Sequence, residues 1–135
     1  MMNLLIVDDE PLVLSALQRS LRRRWGTTLR VATETDPLQA LERARHETFD
    51  VVISDMRMPE VDGVAFLTLM SAVQPDSVRM MLTGTADFET ARLAIQDAGV
   101  FRYLTKPWDD AELIAHVAAA LAQAQALHAK RLSAY

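Results

Sequence analysis

Cysteine is absent from this 135-residue chain. That excludes a disulfide framework, thiolate zinc sites, iron–sulfur clusters and a cysteine nucleophile. Aromatic residues make up only 6% of it and glycines number four, at positions 26, 63, 84 and 99. Their spacing matches neither a dinucleotide fingerprint nor a Walker loop, which disfavours NAD and ATP as ligands. Positive charge is also in short supply: 14 Lys and Arg face 18 Asp and Glu, a net charge of −4. The domain therefore has no general electrostatic reason to hold nucleic acid. The apolar start, Leu4-Leu5-Ile6-Val7, is too short for a signal-peptide core or a membrane span. The expectation is an intracellular, cytoplasmic protein.

What is present, 50% apolar and 24% charged residues, suits one globular domain, which at this length buries roughly two-thirds of its unfolded surface. Five stretches read as strands: Asn3 to Val7, Thr28 to Ala32, Val51 to Ser54, Val78 to Leu82 and Phe101 to Thr105. Helical patterns separate them. Pro11 to Arg24 spaces Leu14, Leu17 and Leu21 helically, and Asp36-Pro37 has the order of a helix start. Val64 to Val73 and Phe88 to Ala98 follow, the latter capped by Asp87 and stopped at Gly99. A last helix runs from Asp109, with Glu112 completing a capping-box pattern.

Alternating strands and helices describe right-handed βαβ units, hence an α/β fold with a parallel sheet covered on both faces. Strands one and three are continuously apolar and belong inside; strands two and five alternate and belong at the edges. The doubly wound, flavodoxin-like order 2-1-3-4-5 satisfies this and opens a crevice where the order reverses.

The residues at the strand ends are strongly polar. Asp8, Asp9 and Glu10 follow strand one; Asp55, Thr83 and Lys106-Pro107 end strands three, four and five. Converging carboxylates raise one another's pKa or demand a cation, and hard oxygen ligands suit magnesium. With no His or Cys at a strand end, a nucleophile here is a carboxylate or Thr83, and Asp55 is the better candidate. A carboxylate attacking phosphorus yields an acyl phosphate, and a divalent cation, an ammonium and a hydroxyl are the groups that offset charge on a transferring phosphoryl.

Four motifs carry a family resemblance along nearly all of the chain: Ile6-Val7-Asp8-Asp9-Glu10; Val52-Ile53-Ser54-Asp55-Met56-Arg57-Met58-Pro59 with Asp62-Gly63; Met81-Leu82-Thr83-Gly84; and Tyr103-Leu104-Thr105-Lys106-Pro107. Each alone is weak, but in this order, each ending a strand, they are specific. The chain resembles the receiver domain of bacterial two-component response regulators, whose strand order a chemotaxis receiver exemplifies.

The resemblance implies that Asp55 is the phosphoacceptor, fed by the phosphohistidine of a histidine kinase or by a phosphotransfer protein. It implies Mg²⁺ or Mn²⁺ held by Asp9, by Asp8 directly or through water, by Asp55 and by the backbone carbonyl of Arg57. Lys106 would pair with phosphoryl oxygens, Thr83 would hydrogen-bond one of them, and Tyr103 would be the switch aromatic. The Lys106-Pro107 peptide would be cis. Phosphorylation adds about 1.5 to 2 negative charges; drawing in Thr83 would move the Gly84-Thr85-Ala86-Asp87 loop and alter the face of the fourth helix, fifth strand and fifth helix, which a partner or attached output domain reads. Such a domain is a signalling switch that assists only its own phosphorylation and dephosphorylation. The Tyr-Leu-Thr-Lys-Pro-Trp context looks more like receivers joined to enzymatic or kinase-linked outputs than to winged-helix transcription factors.

The alternatives are specific. A magnesium-dependent phosphatase with an Asp nucleophile uses similar chemistry, but usually carries a second acid two residues on, where Arg57 stands. Arg57 either decorates the rim or reaches the phosphoryl group and sets its hydrolysis rate. The Arg22-Arg23-Arg24 run reads as helix-end charge; His46, His116 and His128 as surface residues; Met56, Met58, Met80 and Met81 as packing fillers. Residues 1–122 would form the receiver and 123–135 an extension of the last helix, linking to an output domain. That helix, about 37 Å long if it reaches Ser133, should project. Leu113, Val117, Ala120, Ala124 and Leu127 form an a/d-like seam along it, through which a homodimer could pair.

Overall fold

The structure, a computed structural model, describes residues 1–84, 89, 92, 93 and 95–133. Five strands, β1 (Met2–Val7), β2 (Leu29–Glu34), β3 (Val51–Asp55), β4 (Val78–Thr83) and β5 (Arg102–Thr105), form one parallel sheet in the order β2-β1-β3-β4-β5. The helices are α1 (Pro11–Trp25), α2 (Pro37–Ala44), α3 (Gly63–Val73), the helical positions described between 89 and 97 (α4), and α5 (Asp110–Ser133). The expected topology is present, with boundaries shifted by one or two residues. Asp87, the expected cap of the fourth helix, and the loop residues Thr85 and Ala86 lie outside the described residues.

Strand burial follows from position. All of β3 is buried, as are Leu4 to Val7 of β1, whereas Arg102 and Tyr103 of the edge strand β5 are exposed. The two-residue period sends Leu4 and Ile6 to one face, against Leu14, Leu17 and Leu21 of α1 and Leu113 and Val117 of α5. Leu5 and Val7 point to the other, against Ala40 of α2 and Phe66, Leu67 and Met70 of α3. Truncating any of the Leu, Ile or Met side chains among these to Ala would cost about 2–5 kcal/mol.

Local signals place the helices. Asp36 accepts a hydrogen bond from the Leu38 backbone N–H at 2.9 Å with Pro37 at the first turn, and Asp62 accepts one from Ala65 N–H at 2.8 Å. α1 ends on Gly26 at φ 57°, a left-handed conformation that favours glycine. Its basic last turn is partly spent within the chain: Arg23 Nη2 lies 3.1 Å from Asp110 Oδ2, and Ser20 Oγ donates to Asp110 Oδ1 at 3.0 Å.

The last helix departs from expectation. Leu113, Val117, Ala120 and Ala124 are fully buried in the α1-side core, and Leu127 packs against it. The seam is intramolecular, so it is not available for a homodimer. Nor does the tail simply project: His128 Nε2 lies 3.1 Å from Oδ1 of buried Asp50, and Arg131 Nη1 lies 2.6 Å from Asp76 Oδ2. Sequence periodicity marks an apolar stripe but not its partner, and here the sheet is nearer than any second copy. Among the described residues, no helix is long and apolar enough to cross a membrane.

Candidate functional site

The C-terminal ends of β1, β3, β4 and β5 bring four expected residues together. Asp8 follows β1 and is fully buried; Asp55 ends β3, 6% exposed; Thr83 ends β4, 1% exposed; Lys106 follows β5. Lys106 Nζ stands 3.0 Å from Asp55 Oδ1 and 3.1 Å from Asp8 Oδ2. The Lys106-Pro107 peptide is cis, as the resemblance implied. The Lys106 backbone N–H is also tied to the Thr83 carbonyl at 2.9 Å, fixing β5 to β4 at the site.

The electrostatics reflect crowding. Burial pushes the Asp55 carboxyl above its usual range; Asp8 and Asp9 push it further, and Lys106 opposes them without cancelling the rise. Burial alone would lower the Lys106 ammonium, but Asp55 and Asp8 together hold it above its ordinary value. The rise comes first from burial, and two neighbouring carboxylates facing one ammonium add a local shortage of positive charge.

Carboxylate oxygens of Asp8, Asp9 and Glu10 lie within 4.8 Å of one another, Asp8 buried and the others exposed. This set adds Glu10 to the expected cation ligands. The Glu10 backbone N–H donates to Asp8 Oδ1 at 2.9 Å, so Asp8 is held at both oxygens. Hard carboxylate donors beside a raised Asp55 suit a small divalent cation. Arg57 is exposed on the loop two residues beyond Asp55, and Tyr103 is 41% exposed on β5.

Two features of the site went unread in the sequence. Gly63, the first residue of α3, packs so closely that an added Cβ would sit 2.2 Å from the Asp55 carbonyl oxygen and 2.8 Å from Met56 Cα. Its place in the Asp62-Gly63 motif was the available signal. Met56, read as a packing filler, is half-buried, and its Sδ lies 3.2 Å from Thr83 Oγ1. Met58, Met80 and Met81 are buried fillers as expected. Of the histidines, His46 and His128 are exposed as expected, beside Glu42 and Asp50 respectively, while His116 is partly buried with an unpartnered Nδ1 and is not an ordinary surface residue.

The sequence matches the response regulator receiver domain family over residues 4–118. It is 36% identical over 111 residues to the hydrogenase transcriptional regulatory protein HoxA of Bradyrhizobium diazoefficiens, covering 82% of this chain and 22% of that one. It is 37% identical over 128 residues to the transcriptional regulatory protein ZraR of Escherichia coli K12, covering 95% and 28% respectively. The chain thus spans less than a third of these curated relatives. Among solved structures, the signal receiver domain of an HD domain-containing protein from Pseudomonas fluorescens Pf-5 superimposes with a TM-score of 0.83 at 32% identity, over 96% of this chain and 91% of that one.

Proposed function

The chain belongs to the response regulator receiver domain family, and on that premise we propose that it is a phosphoacceptor switch in which Asp55 takes the phosphoryl group. The observation that carries this reading is the Asp8–Lys106–Asp55 arrangement, in which one buried-side ammonium spans two carboxylates at 3.1 and 3.0 Å.

Lys106 engages Asp55 Oδ1, which leaves Oδ2 as the attacking oxygen. In transfer from a phosphohistidine, that oxygen bonds to phosphorus as the P–N bond breaks, and the imidazole nitrogen leaves with the electron pair. The Lys106 ammonium then meets phosphoryl oxygens in place of carboxylate charge. Asp8, Asp9, the Arg57 carbonyl and Asp55 would hold Mg²⁺ or Mn²⁺, with Glu10 close enough to orient the set. Such a cation, when bound, neutralises the charge on the transferring group. Thr83 Oγ1, 3.0 Å from the Gly84 carbonyl oxygen and 3.2 Å from the Met56 sulfur, turns its hydroxyl to a phosphoryl oxygen, a stronger acceptor. Because Gly84 opens the next loop, that turn pulls the loop and the α4, β5 and α5 face, including Tyr103, which partners read.

The donor is a histidine kinase or phosphotransfer protein. The relatives named above are transcriptional regulators and an HD domain-containing protein, so similar receivers occur in proteins of more than one class. An output domain, where the whole protein has one, would be reached through the end of α5 beyond residue 122. The phosphatase alternative gains no support, since the position two residues after Asp55 carries a cation, Arg57.

Phosphate-affinity electrophoresis with acetyl phosphate tests the reading. One shifted species, dependent on magnesium and absent in Asp55→Asn, is expected. Sustained turnover of small phosphate esters without a shifted species would favour the phosphatase.

A further inference from the structure

Seven methionines and no cysteine carry all the sulfur in this chain. Four of them, Met58, Met70, Met80 and Met81, are buried in the core, and Met1 and Met2 form the N-terminus. Met56 stands apart: half-buried, adjacent in sequence to Asp55, with its sulfur 3.2 Å from Thr83 Oγ1. Its backbone is pinned on both sides, the N–H to the Leu82 carbonyl at 2.8 Å and the carbonyl to the Gly63 N–H at 2.7 Å. Any adjustment at this residue therefore falls to its side chain, which has three rotatable bonds.

We propose that Met56 is an oxidation site whose sulfoxide captures the Thr83 hydroxyl and so blunts phosphoryl signalling, a role that rests on the reading of Thr83 given above. A peroxide is the oxidant. One peroxide oxygen is transferred to the Met56 sulfur, forming the S–O bond as the O–O bond breaks; the sulfur loses two electrons and the peroxide leaves as water or an alcohol. Oxidation reaches this residue ahead of the core methionines because they are screened and no thiol competes, while the exposed Met1 lies at the N-terminus.

The consequence follows from acceptor strength. A thioether is a weak acceptor and the Gly84 carbonyl oxygen 3.0 Å away is an uncharged one, so the single Thr83 proton is surrendered to a charged phosphoryl oxygen. A sulfoxide oxygen is a strong one. An oxygen added on the side facing Thr83 requires the sulfur to retreat by about an ångström, which three rotatable bonds permit. Thr83 is then held before the phosphoryl group arrives. Loss of one hydrogen bond to a charged oxygen corresponds to about a tenfold slowing of phosphoryl uptake. Methionine sulfoxide reductases reverse the change, each acting on one epimer.

The test is peroxide treatment of the full chain, with peptide mass mapping of sulfoxides, uptake from acetyl phosphate with magnesium, and the Thr83 NMR resonances before and after. Expected are oxidation of Met56 ahead of the four core methionines, about tenfold slower uptake and a displaced Thr83 signal. Reductase treatment should reverse all three. Met56→Leu, compared only with itself, should show no peroxide effect. Met56 staying reduced while Met1 and Met2 oxidise overturns the proposal, as does an oxidised Met56 with unchanged uptake and an unmoved Thr83. If the untreated chain takes up no phosphoryl group, the functional reading fails, and the Thr83 signal still decides whether the sulfoxide captures the hydroxyl.

Discussion

The Lys106 ammonium lies 3.0 Å from Oδ1 of Asp55, yet the Asp55 carboxyl remains above its usual range because burial, Asp8 and Asp9 outweigh that one cation. A carboxyl raised in the folded state favours folding while protonated, so this contribution is present below the ordinary carboxylate pKa and is lost as pH rises through the raised value. At neutral pH the ionised group is a net cost. Asp55→Asn should therefore be more stable than the parent at pH 7, and the difference should vanish as pH falls below the ordinary carboxylate range. Urea titrations at several pH values check it; an Asn variant less stable at pH 7 would contradict the electrostatic account.

The same shortage of positive charge predicts stabilisation by a divalent cation. Magnesium at about a hundred times its dissociation constant should add about 2.7 kcal/mol, seen as a rise in melting temperature. Asp9→Asn, which alters an exposed member of the Asp8, Asp9 and Glu10 group, should weaken magnesium binding by about tenfold and remove about half of that rise at the same concentration. Calcium-sized or monovalent ions giving an equal rise would argue for general screening instead.

Much of this site was legible before any coordinates, and the reason is geometric. Asp8, Asp55, Thr83 and Lys106 each end or directly follow an apolar strand, and parallel strands deliver their ends to one edge. The apolar runs Leu4 to Val7 and Val51 to Ile53 likewise marked the inner strands. Contacts set by three-dimensional packing were not legible. The seam on α5 looked ready for a second helix because periodicity records a stripe and not what covers it. The Thr83–Met56 and Asp50–His128 contacts join residues whose spacing carries no pattern.

Gly63 illustrates a backbone requirement that only packing reveals. A Cβ there would lie 2.2 Å from the Asp55 carbonyl oxygen, and the obstacle is backbone that cannot rotate away. Gly63→Ala should cost about 3 kcal/mol of stability and slow phosphoryl uptake by displacing Asp55. Chemical denaturation and a labelling time course measure both; a variant with parental stability would show that α3 shifts freely.

The tail of α5 is held by His128 against Asp50 and by Arg131 against Asp76. Replacing both side chains, as His128→Ala with Arg131→Ala, should raise backbone amide exchange several-fold over residues 125–133, because pairs at the surface contribute about 0.2–1 kcal/mol each. Phosphoryl uptake at the opposite edge of the sheet should stay at the parental rate. Unchanged exchange in the tail would mean that Leu127 packing alone holds it.

The central claim is that one oxygen of Asp55 carries the phosphoryl group, and mapping the label is its most direct test. Protein incubated with magnesium and either acetyl phosphate or a phosphorylated histidine kinase should gain one hydroxylamine-labile phosphoryl group, located on the peptide containing Asp55, absent without the cation and absent in Asp55→Asn. A folded protein that stays unlabelled under both donors, or a label that persists in Asp55→Asn, would contradict it.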